Sequence, residues 1–255
     1  MVEAYCVGVT SPRGKMGVIV SNFIEDHPIL QLCATVDRRN DGCNVEENLF
    51  FSIEESIQKK APQIFLIFSP TDIAFNQALI CLKYKVIPII GSTGFTEKQL
   101  QLLKEESERL NVKLMIIPNF AIGAVLMMKF AAYAAKYMEH VEILEMHHPQ
   151  KKDSPSGTAK KLAEMINVLK DENIENIVDS LNNSRGMNYN NVRIHSIRLE
   201  GVIANHQVIF GGNGETLTLK HNTVDRSSFL RGIELAISKI DEAPLYTYGL
   251  EQLLD

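Results

Sequence analysis

Short, unbroken apolar runs recur through the first half of the chain, at Ala4–Val9, Leu30–Val36, Ile64–Phe68, Val86–Ile90 and Leu114–Ile117. Runs of this kind suit strands buried on both faces of a parallel sheet. Between them, apolar residues recur at helical spacing over Met16–Glu25, Ile73–Tyr84 and Glu97–Leu110. Thr96 followed by Gln99 predicts a capped start for the last of these helices. Strands that alternate with helices predict an α/β fold around a parallel sheet. Ser11–Gly17, Asp37–Arg39, Ser69–Asp72, Gly91–Gly94 and Pro118–Phe120 each follow a strand, and so line one carboxyl edge, where open sheets bind ligands.

After Asn119 the pattern changes. An apolar helix is predicted over Ala124–Tyr137, then a strand over Val141–Met146, a polar loop, and a helix from about Gly157. Asp179–Asn191, rich in Asn and Ser, reads as a mobile loop. Val192–Leu199, Val202–Phe210 and Glu215–His221 read as antiparallel strands, and a last helix over Ser228–Ile240 returns to the first unit.

Composition narrows the function. At 255 residues, 45% apolar and 22% charged, the chain has a real core to bury. Its net charge of −5 lacks the positive field that sequence-independent nucleic-acid binding needs. No apolar run is long enough to span a membrane. Cys6, Cys33, Cys43 and Cys81 form no CxxC pair, so neither a disulfide framework nor a zinc knuckle is expected, and with no secretory leader the expected location is cytoplasmic.

Two stretches carry chemistry. Gly8 to Gly17 follows a strand and opens a helix, the setting of a dinucleotide fingerprint, although such a turn is also a common connector. Gly14 permits close backbone approach, Gly17 tight helix packing, and the helix start attracts a pyrophosphate. Ser11 stands where a glycine ordinarily begins the turn. Asp37 ends the second strand, placed to hold an adenosine ribose, while Arg38 and Arg39 could hold a 2′-phosphate. Use of both NADH and NADPH is therefore expected.

Glu145 to Ala159 gathers His147, His148, Lys151, Lys152 and a helix start capped by Ser156. The amides of Gly157 and Thr158 and the lysines favour an anion with more than one carboxylate, to which a histidine or lysine supplies a proton. His147 and His148 alternate if the strand persists, so one of them faces the reaction. A solvated basic loop is the plainer alternative, and a metal site lacks a third ligand at suitable spacing, so no metal is expected.

These motifs carry a family resemblance. Gly14-Lys-Met-Gly17, Gly91-Ser-Thr-Gly-Phe-Thr96, Pro118-Asn-Phe-Ala-Ile-Gly123, the stretch from His147 to Thr158 and Ser196 to Gly201 resemble the 4-hydroxy-tetrahydrodipicolinate reductase (dihydrodipicolinate reductase) family. The pattern HHxxKxDxPSGTA is the most specific of them. The resemblance implies a Rossmann-type domain over residues 1–119 and 228–255, and an inserted α+β domain over residues 120–227, whose mixed sheet binds substrate and builds a homotetramer. It implies His147 as proton donor and acceptor, Lys151 as second donor, and His148, Gly157 and Thr158 as substrate contacts. NADH or NADPH would meet Ser11, Pro12, Arg13, Gly14, Lys15, Met16, Asp37, Arg38, Gly91, Ser92, Thr93, Ile117, Pro118, Asn119 and Phe120. The implied substrate is a cyclic imine dicarboxylate in the diaminopimelate route to lysine. Arg198, His206 and His221 either assist electrostatically or sit in buried structural pairs.

Overall fold

In the computed structural model, which describes residues 4–37, 48–167 and 184–254, the unbroken apolar runs become parallel strands. These are β1 (Tyr5–Thr10), β2 (Leu30–Val36), β4 (Ile64–Ile67), β5 (Ile87–Ile90) and β6 (Leu114–Ile116), joined by a short β3 (Leu49–Phe50). A strand late in the chain, β12 (Tyr246–Tyr248), pairs in parallel with β6 and completes the order β12-β6-β5-β4-β1-β2-β3. The order reverses between β1 and β4, which opens a crevice at their carboxyl ends. The helices between strands are α1 (Lys15–Glu25), α2 (Ile53–Lys60), α3 (Thr71–Lys83) and α4 (Glu97–Leu110). All of β4 is buried, as expected for a central strand covered by helices. At α4 the Thr96 and Gln99 side chains each bond the other's backbone amide, the predicted capping box.

The absence of a disulfide is corrected by the structure. Cys6 on β1 and Cys33 on β2 are bonded, with Cα atoms 5.7 Å apart. The residues are 27 apart in sequence, and only the pairing of β1 with β2 brings them together. The register shifts between Val7 and Gly8, where Leu32 and Ala34 are the successive partners, so Cys33 is the residue left over. Among the described cysteines, Cys81 is free and buried.

The chain divides into two compact units, residues 1–120 with 229–255 and residues 121–228. The second unit holds α5 (Ile122–Ala134), β7 (His140–His147), α6 (Gly157–Asn167), β8 (Met187–Tyr189), β9 (Val192–Arg198), β10 (Ala204–Gly212) and β11 (Glu215–Thr223). The last helix, α7 (Leu230–Ser238), belongs to the first unit. Part of the Asp179–Asn191 segment and all of Arg38–Arg39 lie outside the described residues.

The second sheet runs β11-β10-β7-β9-β8. β10 pairs antiparallel with β11, as expected, and with β7, whereas β9 lies parallel to β7 and antiparallel to β8 instead of pairing with β10. The connection from β7 to β9 passes through α6, and a helical crossover is what a parallel pair requires. Burial alternates along β7: Val141, Ile143, Glu145 and His147 are buried, with partly exposed residues between them. Ile143, Val208 and Phe210 pack with Met127, Met128 and Leu162 of α5 and α6. A slip of one residue would turn Val141 and Ile143 outward, losing roughly 1.5–3 kcal/mol for each, so the hydrophobic half of β7 fixes where its polar end points.

Candidate active site

The crevice in the first unit is a cavity of about 510 Å³. Its walls include Ser11, Gly14, Lys15, Met16 and Gly17 after β1, Ser69 and Thr71 after β4, and Gly91, Ser92 and Thr93 after β5. The edge is laced together. Ser69 Oγ donates to Thr10 Oγ1 at 3.1 Å, Ser92 Oγ donates to the Ser69 carbonyl, and Thr71 Oγ1 donates to the Thr93 carbonyl at 2.5 Å. Ser11 has φ +55°, the left-handed conformation that glycine adopts freely and serine at a cost of roughly 1–2 kcal/mol. A side chain at Gly17 would collide with the Ser11 carbonyl, and one at Gly91 would lie 2.7 Å from the Phe68 ring.

These groups fit a dinucleotide. α1 has no side-chain cap and no acidic residue in its first turn, so its leading amides face an anion unopposed. Asp37 is buried, with Arg13 Nε 4.0 Å from its carboxylate. Pro12, Arg13, Asp37 and Ile117–Phe120 lie on the neighbouring segments rather than in the cavity wall. Ile117 and Phe120 are buried in the core, Phe120 with its ring centroid 6.3 Å from that of Phe68, while Pro118 and Asn119 are partly exposed. Arg38 lies outside the described residues.

In the second unit, the buried face of the sheet ends in a polar island. Cross-strand register sets Glu145 opposite His206 and Ser196, and His206 opposite His221, with His147 opposite Arg198. His147 Nδ1 lies 2.5 Å from Glu145 Oε2. Arg198 donates to both oxygens of Glu145 at 3.0 Å, and the Ser156 amide donates to Oε1 at 3.2 Å. Burial alone would raise the Glu145 pKa, but hydrogen bonds from His147, Arg198 and Ser196 outweigh it and hold the carboxyl at about 2. His206 is pushed down to about 3, first by burial and then by the charge on His147.

Beyond β7 the loop passes through a cis Ser154–Pro155 bond to the start of α6. Lys151 Nζ donates to both carboxylate oxygens of Asp153, at 2.8 and 2.9 Å. Asp153 is 57% exposed, so this pair is worth about 0–1 kcal/mol and yields readily to another anion. Ser156 caps α6 by accepting from the Ala159 amide at 3.2 Å. A side chain at Gly157 would meet nothing within 4 Å, so space lies open at the helix start shared by Gly157 and Thr158. His148 follows the strand, and its buried Nδ1 has no hydrogen-bond partner among the described residues.

The structure thus joins His147 to Arg198 and His206, which the sequence left between two roles, and adds Glu145, to which the sequence reading gave none. A carboxylate two residues before a histidine on one strand shares its face, and that spacing was the available signal. Among the described residues no three metal-ligating side chains cluster, and no helix is long and apolar enough to cross a membrane.

Comparison with known proteins decides the family. Residues 5–120 match the model of the dihydrodipicolinate reductase N-terminus, and residues 123–254 that of its C-terminus. The chain belongs to the dihydrodipicolinate reductase family. Within that family, the 4-hydroxy-tetrahydrodipicolinate reductase of Oceanobacillus iheyensis is 40% identical, covering 96% of this chain and 98% of the relative. The same-named protein of Streptococcus gordonii is 40% identical over 95% of this chain and 96% of its own length. A dipicolinate-bound dihydrodipicolinate reductase from Paenisporosarcina sp. TG-14 superposes with a TM-score of 0.85 at 38% identity, covering 98% of this chain and 100% of that one. The first unit is accordingly a nucleotide-binding Rossmann fold, and the chain is an oxidoreductase.

Proposed function

We propose that this chain reduces 4-hydroxy-tetrahydrodipicolinate to tetrahydrodipicolinate, with loss of water, using NADH or NADPH in the diaminopimelate route to lysine. Membership of the family over both halves of the chain supports the reaction. The observation that carries the residue roles is the polar island itself: a buried histidine held on a carboxylate, beside a lysine and an open helix start.

The substrate is a doubly acidic ring, and the relative from Paenisporosarcina was solved with a pyridine dicarboxylate bound. Gly157 and Thr158 offer their amides to one carboxylate, with the helix dipole adding attraction, and His148 stands beside them. Loss of the 4-hydroxyl leaves a conjugated imine, and reduction at C4 sends electron density toward the ring nitrogen. The bound dinucleotide supplies the hydride. His147 and Lys151 supply protons to the nitrogen and the departing hydroxyl, and the positive Lys151 stabilises the charge that develops.

For the dinucleotide, the α1 amides and Ser11–Met16 hold the pyrophosphate, Asp37 the adenosine ribose, and Gly91–Thr93 with Ile117–Phe120 border the nicotinamide half. Among the described residues Arg13, beside Asp37, is a cation that would meet a 2′-phosphate, and both cofactors are used. The enzyme works in the cytoplasm as a homotetramer built on its second sheet.

Lys151→Ala should lower turnover roughly 10²–10⁴-fold with either cofactor, as loss of a positioned acid does, while the melting temperature holds. Following NADH and NADPH absorbance with enzymatically generated substrate measures it. Turnover like wild type would remove Lys151 from the mechanism.

A further inference from the structure

Glu145 is fully buried, and its oxygens are occupied on every side. His147, both terminal nitrogens of Arg198 and the Ser156 amide already fill the roughly four accepting positions of a carboxylate, and the Ser196 side chain adds a further hydrogen bond. No position is left for a substrate, so whatever Glu145 contributes passes through its partners. Those partners are the pieces of the site. One is the proton carrier, and another is the residue that caps α6. The third, Arg198, also donates from Nη2 to the Asp153 carbonyl at 2.7 Å and from Nε to the Lys151 carbonyl at 3.3 Å, pinning the lysine loop.

We propose that Glu145, clamped by Arg198, is the positioning residue of this site: it takes the Nδ1 hydrogen of His147, so that Nε2 faces the substrate, and it holds the start of α6 through the Ser156 amide. The inference rests on the reading of His147 as proton carrier and says what makes that role possible. A neutral imidazole has one N–H and one lone pair, and the hydrogen bond at one nitrogen fixes the chemistry of the other. With Nδ1 committed, Nε2 is a base when the ring is neutral and an acid when it is charged. Arg198 pairs with both oxygens of the Glu145 carboxylate and offsets its charge. Among the described residues, further ionisable groups near the ring include His206, with centroids 5.4 Å apart and planes at 81°, and Asp153 from the loop. Ser156 Oγ lies 3.3 Å from His206 Nε2, so the helix cap is tied to the island at two points.

The test compares Glu145→Gln, Glu145→Asp and His147→Gln with wild type. Glu145→Gln should lower kcat at least about 10-fold, as loss of an orienting carboxylate does, with the KM for substrate within about 2-fold. Glu145→Asp should recover part of the loss. In ¹⁵N-histidine NMR spectra of the unliganded protein, neutral His147 should carry its hydrogen on Nδ1 in wild type and redistribute it in Glu145→Gln. A purely structural role would leave that tautomer unchanged. Wild-type kcat in Glu145→Gln alongside a crippled His147→Gln overturns the positioning role and leaves the carrier standing. Full activity in His147→Gln removes the carrier instead. If Glu145→Gln does not fold, the wild-type spectrum decides: a hydrogen on Nε2 in the neutral ring overturns the proposal.

Discussion

His206 is held neutral chiefly by burial, and this has a consequence for acid stability. The unfolded chain takes a proton on this ring below its ordinary value of 6.5, the folded chain only below about 3. Its contribution is therefore complete above pH 6.5 and falls as pH drops toward 3, by at most about 1.4 kcal/mol per unit. Glu145 acts in the same direction in a lower window, because its stabilisation is lost only as pH falls from 4.5 toward 2. Urea unfolding between pH 7 and 5 should show wild type losing stability and His206→Gln, which has no titrating ring, losing less. Equal losses would contradict the assignment. At this scale the sequence was half legible. The spacing of Glu145 and His147 could be read, but Arg198 reaches that carboxylate from 53 residues away, through a register that no local pattern encodes.

Among elements, the glycine turn is the most constrained. Gly17 lies where the first turn of α1 crosses the Ser11 carbonyl, so any side chain there pushes the turn away from the helix. Gly17→Ala should weaken dinucleotide binding at least about 10-fold, a loss of about 1.4 kcal/mol, with the second unit's chemistry untouched. Titration of cofactor fluorescence measures this, and unaltered affinity would argue that the turn is a connector. Element types followed the apolar pattern closely where runs were long: β2 has its expected ends, as does α4. β3, with two residues, and β12, with three, are too short for periodicity to register. α2 was missed although Ser52 accepts from the Glu55 amide at 3.1 Å, and that Ser-x-x-Glu spacing stood in the sequence. β9 meets β7 in parallel and β8 in antiparallel pairing; alternation says which face a strand shows but not which neighbour it meets.

For the whole molecule, the second sheet offers a face unlike its buried one. Leu144, Met146 and Ile209 alternate with core residues and stay partly exposed, while Ile197 and Leu199 are 37% and 54% exposed. Such a face suits a second copy of the chain. Light scattering should give the mass of four chains, and Ile197→Glu should give smaller species. A wild-type monomer would end the tetramer proposal.

The place of β12 in the first sheet bears on how the polypeptide matures during translation. β12 pairs with β6 only after all of Ala121–Ser228 has been made, because that unit lies between them in chain order. Until then Leu114 lacks the Leu245 carbonyl that its amide meets at 2.7 Å, and the β6 side of the sheet stands as an open edge. The interrupted half is thus the later of the two to close on a ribosome, and the inserted half, whose strands are contiguous, can finish first.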